Sequence, residues 1–198
     1  MVRAGATHLQ IDEPYFSGFP EDLPWALKAI NEMVAGVNAH VTLHICYGNR
    51  YGKPSFEGSY QFLFPAILEA RVQAVSMEFA RRGEDDLKLF KEFNVPFQVA
   101  IGVIDVKTNE VESPAFVADR IRRGLEVIAP ERLIITPDCG LVRLPRDVAF
   151  SKLTAMWPRR LRCAATSSSD SMRGPICAAS PRTRRRSGPR KYRLTIDC

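Results

Sequence analysis

No apolar run in this chain approaches the ~20 residues that a membrane span requires. The first ten residues carry Arg3 and His8 but no apolar block followed by small residues, so the pattern of a secretory signal is missing. The expected compartment is the cytoplasm, where five cysteines stand for free thiols or metal ligands rather than disulfides. Acidic residues are scarce at one end. Residues 151–198 hold 2 Asp or Glu against 12 Lys or Arg, a net of +10. The other 150 residues keep 16 basic and 20 acidic side chains, a net of −4. The overall charge of +6 thus averages a mildly acidic body and a basic tail, and gives the body no nucleic-acid character.

What the body does have is a repeated alternation. Residues 7–11, 41–46, 73–78, 97–103 and 132–136 are short, apolar and β-leaning. Helical patterns lie between them. One covers 24–37, with Trp25, Ile30, Met33, Val34 and Val37 as its apolar stripe, and others cover 59–70 and 84–93. Ser113 before Pro114 reads as an N-cap followed by a first-turn proline. The helix it opens runs to about Ile128, with Phe116, Val117, Ile121 and Leu125 on the same stripe. A last helix begins near Pro145. Five strands alternating with helices predict parallel βα architecture. The rival, an open doubly wound sheet, calls for a Gly-rich phosphate loop after the first strand, and Ile11-Asp-Glu-Pro-Tyr15 is nothing like one. The expected class is therefore α/β of the (β/α)8 barrel type, present as a partial barrel of about five βα units, since eight units need roughly 240 residues.

Each strand is followed by polar residues that are unusual in a purely structural loop. They are Asp12-Glu13-Pro14, then His44 and Cys46, then Glu78, then Asp105 and Lys107, then Pro137-Asp-Cys-Gly140. In a βα barrel all of these project at the C-terminal mouth, where catalytic groups sit. His44 and Cys46, two apart on a strand, face the same way. With Glu78 and Cys139 they offer one nitrogen, two thiolates and one carboxylate, a tetrahedral Zn2+ donor set. A core histidine with two inert buried cysteines stays open as the alternative. Asp12 is either a functional carboxylate or the cap of the next helix. Lys107 reads as a solvated loop lysine. His8 and His40 read as structural, with no partner at ligand spacing, and Pro137 and Gly140 as turn-formers.

The segments Gln10-Ile-Asp-Glu-Pro14, His44-Ile-Cys-Tyr-Gly48, Val75-Ser-Met-Glu78, Gly102-Val-Ile-Asp-Val106 and Pro137-Asp-Cys-Gly-Leu141 occur in this order. Together they resemble the C-terminal catalytic domain of cobalamin-independent methionine synthase, in its short, archaeal-type form. The resemblance covers most of residues 3–156. It implies a zinc-dependent methyltransferase of methionine biosynthesis. The donor would be methyltetrahydrofolate or a methyl-corrinoid, and the acceptor the thiol of homocysteine. Carried over, the zinc ligands are His44, Cys46, Glu78 and Cys139, and Asp12 holds the homocysteine amino group. A related zinc thiol alkyltransferase of the coenzyme M type, or a non-catalytic remnant, is the alternative.

The chain departs from the long form of the family at three places. Lys107 stands where that form has a histidine proton donor, so no catalytic acid is carried over. Gly18 stands where it has a folate-contacting glutamate. The loop 47–60 is longer. The resemblance also leaves three preceding βα units unaccounted for, and five strands leave open edges that favour self-association. No membrane partner is expected, and a nucleic-acid partner is not the preferred reading. From Trp157 onward the apolar periodicity ends and Arg, Ser, Pro and Ala dominate. The division expected is 1–156 as barrel and 157–198 as a basic tail. That tail is read first as out-of-frame translation, otherwise as a disordered segment or an anion-binding arm.

Overall fold

The computed structural model describes residues 1–157; the basic tail from 158 onward, and with it every expectation placed there, lies outside the described residues. Five strands, β1 (His8–Asp12), β2 (His40–Ile45), β3 (Ala74–Met77), β4 (Gln98–Ile104) and β5 (Leu133–Pro137), form one sheet in the order β1-β2-β3-β4-β5. Every neighbouring pair is parallel. Parallel strands in unbroken sequence order mean that each crossover steps the same way, and right-handed crossovers then place the connecting segments on one face. That is how the wall of a (β/α)8 barrel is made. A doubly wound sheet reverses its direction at a switch point, and this sheet has none. The expected fold class is met, as a five-stranded part of a barrel.

The helices are α1 (Leu23–Val34), α2 (Leu89–Glu92), α3 (Pro114–Leu125) and α4 (Arg146–Met156). Helix α3 starts where the sequence places it, with the Ser113 hydroxyl accepting the Phe116 amide at 3.2 Å. Elsewhere the structure corrects the sequence pattern. Residues 59–70 do not form one helix but two 3-10 turns, Tyr60–Leu63 and Ala66–Glu69. Pro65 lies between them; it has no amide to continue a helix, and its ring excludes the residue before it from helical geometry. Residues 84–93 likewise give a 3-10 turn, Asp85–Lys88, that passes into the single turn of α2. Helix α1 buries Leu23, Leu27 and Ile30, and leaves Trp25 and Met33 exposed. Phe116 is also exposed, under the Arg120 guanidinium, which lies 4.4 Å from its ring centroid.

The core joins the inner strands to these helices. β3 is buried throughout and β4 from Val99 to Ile104. The outer strands differ: β1 alternates between exposed and half-buried residues, and β5 is half-buried along its length. At the N-terminal end of the sheet His8 and His40 are register partners with ring centroids 5.2 Å apart, so they do pair, far along the strands from the polar mouth. Burial, and then the charge of His8, hold His40 below the usual histidine range. No helix among the described residues is long and apolar enough to cross a membrane.

Candidate metal centre

His44 is the second-last residue of β2, and its Nδ1 lies 3.2 Å from Ser76 Oγ of β3. The parallel register makes the two residues direct partners, which is why their side chains meet. Both are buried. With Nδ1 occupied, Nε2 is the free ring nitrogen, and it is buried without a partner. A buried imidazole nitrogen with nothing to bind is costly, and its usual explanation is a ligand. A neighbour that fixes the other ring nitrogen is the second-shell arrangement of metal-binding histidines.

Cys46 and Cys139 complete a cluster with His44, in which the three ligand atoms lie within 4.8 Å of one another. The two sulfurs are 4.0 Å apart. That is about twice a disulfide bond, and both thiols are free. It is close to the separation of about 3.8 Å for two thiolates on one tetrahedral zinc with Zn–S of ~2.3 Å. The Cys139 thiol is pulled well below the ordinary range, first by its hydrogen bond with Cys46 and then by His44. The same contact, together with burial, pushes Cys46 up. Unequal sharing of this kind is expected where two sulfurs hold one charge between them. One nitrogen and two sulfurs, with the nitrogen otherwise unpartnered, fit a zinc ion.

Glu78, the first residue past β3, is fully buried but outside that cluster. Its Oε1 accepts the Lys107 ammonium at 2.6 Å and the Tyr47 amide at 3.4 Å. Arg81 Nε stands 3.9 Å from Oε2, which has no hydrogen-bond partner. Burial raises the Glu78 carboxyl above its ordinary range, and Lys107 opposes the shift. Lys107 is therefore no solvated loop lysine: its side chain is 3% exposed and ion-paired. The β4–α3 loop supplies what the sequence did not show. Asp105 Oδ1 accepts the Lys107 amide at 2.8 Å and so turns the chain back towards the site.

Asp138 is the residue whose role the sequence hid. It precedes Cys139 and is fully buried. Its Oδ1 accepts the amides of Phe79 and Ala80, and its Oδ2 that of Arg81, at 2.8–3.0 Å. One carboxylate thus ties the strand end that carries Cys139 to the loop that follows Glu78. To do so it crosses β4 at Gly102, where a Cβ would lie 2.0 Å from Asp138 Oδ1. Burial, and then the Glu78 charge, push Asp138 up to about 7, while the three amides pull it back. Tyr60 makes a second tie: its hydroxyl donates to Ile45 O and accepts the Glu78 amide, each at 2.9 Å. Asp138, Gly102 and Ser76 all lie inside the sequence segments described above, but no spacing rule distinguishes a clamp from a loop residue.

Asp12 ends β1 in register with His44, and its exposed carboxylate accepts Gln10 Nε2 at 2.7 Å. It caps no helix; Glu13 makes the local turn by accepting the Tyr15 amide at 2.9 Å. Gly18 lies under the Phe56 ring, so that a Cβ there would meet the ring at 2.2 Å. The 47–60 loop thus fills the space that a side chain at position 18 would need. Asn49 of this loop donates to Gly140 O at 3.2 Å, joining it to the Cys139 turn.

Residues 1–159 match the family model described as the cobalamin-independent synthase catalytic domain. The methionine synthase of Saccharolobus islandicus strain Y.G.57.14 is 39% identical over 156 residues, covering 79% of this chain and 44% of the relative. That of Sulfurisphaera tokodaii is 34% identical over 156 residues, covering 79% and 43%. The chain thus spans less than half the length of these curated relatives. Among solved structures, a B12-independent methionine synthase from Shewanella sp. W3-18-1 in complex with selenomethionine superposes with a TM-score of 0.70 at 27% identity, over 78% of this chain and 48% of that one. A Listeria monocytogenes protein described as a vitamin-B12-independent methionine synthase shares the fold, with a TM-score of 0.55 at 19% identity, over 79% and 47%.

Proposed function

The chain belongs to the cobalamin-independent methionine synthase catalytic-domain family, and on that premise we propose that it moves a methyl group to the thiol of homocysteine, forming methionine. The donor is a methylated folate or a methyl-corrinoid. His44, Cys46 and Cys139 hold a zinc ion, and Glu78 is the carboxylate available as a fourth ligand. The observation that carries this reading is the buried, unpartnered His44 Nε2 beside two free sulfurs 4.0 Å apart.

Bound zinc supplies Lewis acidity that keeps a substrate thiol deprotonated at neutral pH, where a free thiol of pKa ~8.5 is mostly protonated. The thiolate lone pair forms the new S–CH3 bond. The electron pair of the breaking bond stays on the donor, which for a folate takes a proton from solvent. The protein holds the geometry. Ser76 fixes the His44 ring, Asp138 holds the loop of Glu78 to the turn of Cys139, and Tyr60 joins the ends of β2 and β3. Asp12, on the rim one strand from His44, holds the substrate amino group by charge. Free thiols at this spacing suit a reducing, cytoplasmic compartment. The packing of Phe56 over Gly18 favours a donor contact unlike that of the long enzyme, so both classes of donor belong in the test.

The test is methyl transfer by the purified, zinc-loaded chain to homocysteine and, separately, to coenzyme M, with each class of donor. Methionine formed by the wild type and lost in Cys139→Ser is expected. Transfer to coenzyme M alone would reassign the acceptor. No transfer to either thiol, or a rate indifferent to Cys139→Ser, would overturn the assignment.

A further inference from the structure

The chain holds three histidines, and His8 and His40 are the two that the His44 cluster does not use. They are register partners on β1 and β2, and the backbone beside them is tied, with the His40 amide donating to Thr7 O at 2.9 Å. Along their strands they stand four residues before Asp12 and His44, so they share the sheet face that carries those two residues. That spacing puts the pair about 13 Å down the strands from the polar mouth.

The two rings are separated as two ligands of one ion would be. Their centroids are 5.2 Å apart. Two imidazoles bound to one ion through ring nitrogens at ~2.1 Å have centroids about 4.5 Å apart at octahedral angles and about 5.3 Å apart at tetrahedral angles. His8 Nδ1 lies 3.1 Å from Thr7 Oγ1, and a ring that donates to this hydroxyl keeps its Nε2 lone pair for a ligand. Burial and the charge of His8 hold His40 below the usual histidine range, so at neutral pH it is the uncharged imidazole that ligates. His8 is exposed and His40 half-buried, so an ion reaches both from solvent.

We propose that His8 and His40 form a second metal site, which takes one imidazole-preferring divalent ion of the nickel, copper or zinc class. Among the described residues no third side chain of ligand type gathers with them, so water fills the remaining positions. The ion bridges two strands at the end of the sheet away from the mouth. There it clips β1, which among the described residues pairs on one side only, to β2. Two protein ligands hold an ion more loosely than the three of the cluster, so the site fills from metal in solution and empties on dialysis. The site stands apart from the zinc reading above and does not depend on it.

The experiment titrates nickel alone into the chain, free of any affinity tag, at about pH 7.5, where both imidazoles are neutral. Calorimetry reads affinity, and near-ultraviolet absorption marks any nickel held by thiolates, since imidazole gives no such bands. The proteins are wild type, His8→Gln, His40→Gln and Cys139→Ser. Wild type and Cys139→Ser are each expected to bind one nickel that carries no thiolate band. Either histidine variant should bind that nickel about a hundredfold more weakly, because a single imidazole loses the chelate. Nickel should raise the thermal midpoint of wild type and leave that of His8→Gln in place. Binding should weaken from about pH 7 to 5, as protons compete for the imidazoles. The proposal is overturned if His8→Gln binds nickel within about twofold of wild type. It is equally overturned if all the bound nickel carries thiolate bands and is lost in Cys139→Ser. His8 is exposed on an edge strand, so should His40→Gln fail to fold, His8→Gln decides alone.

Discussion

At the residue scale, Asp138 shows how much one buried carboxylate can organise. It satisfies three consecutive backbone amides of the loop after β3 and stands next to Cys139. Asp138→Ala strands those amides, each costing about 1–3 kcal/mol when left unpaired, and should lower unfolding stability by about 3 kcal/mol in urea melts. Gly102→Ala should act in the same direction, because the added methyl occupies the carboxylate's place. Unchanged midpoints for both variants would contradict the clamp. His40 carries a pH prediction. Its folded-state pKa lies below the ordinary ~6.5, so below that pH the unfolded chain takes up a proton that the folded chain resists. The stability it supports is present above pH ~6.5 and is lost as the pH falls. His40→Gln should flatten the pH dependence of thermal melting between about pH 7 and 5. The ligand candidates were legible in the sequence because they recur just after each apolar strand. The supporting residues were not, since what Ser76, Gly102 and Asp138 do depends on which strands become neighbours.

At the scale of the element, local signals were read well where the chain alone decides the structure. The Ser113-Pro114 start of α3 is such a case, and Ser113→Ala should cost about 1 kcal/mol in thermal unfolding. They failed where one residue interrupts a period, as Pro65 does, or where an apolar side chain of the stripe stays exposed, as with Trp25 and Met33. Helix α4 holds a less visible feature. Lys152 is fully buried and bonds the Glu112 carboxylate and the Glu110 carbonyl. Its apolar neighbours, Leu153 and Phe150, are more exposed than the charged residue. Removing one partner of a buried pair leaves a lone charge, so Lys152→Met should destabilise by about 3 kcal/mol. Lys152→Met/Glu112→Gln should recover part of that loss. A single variant as stable as wild type would contradict the pairing.

At the scale of the whole molecule, the strand order β1-β2-β3-β4-β5 brings the polar strand ends to one side of the sheet. The strand count was legible in the sequence because buried parallel strands are short apolar runs. Among the described residues, β1 and β5 each pair on one side only, and both are more exposed than the strands between them. Open parallel edges attract other strands. We expect the chain to associate with itself in a concentration-dependent way, read by sedimentation velocity; a single monomeric species at all concentrations would count against that. The methyl-transfer chemistry depends on zinc held by His44, Cys46 and Cys139. Metal analysis with zinc-edge absorption on the purified chain tests it most directly. One zinc per chain with two sulfurs at ~2.3 Å, lost in Cys139→Ser, is the expected result. A chain without zinc, or zinc bound through oxygen and nitrogen alone, would contradict it.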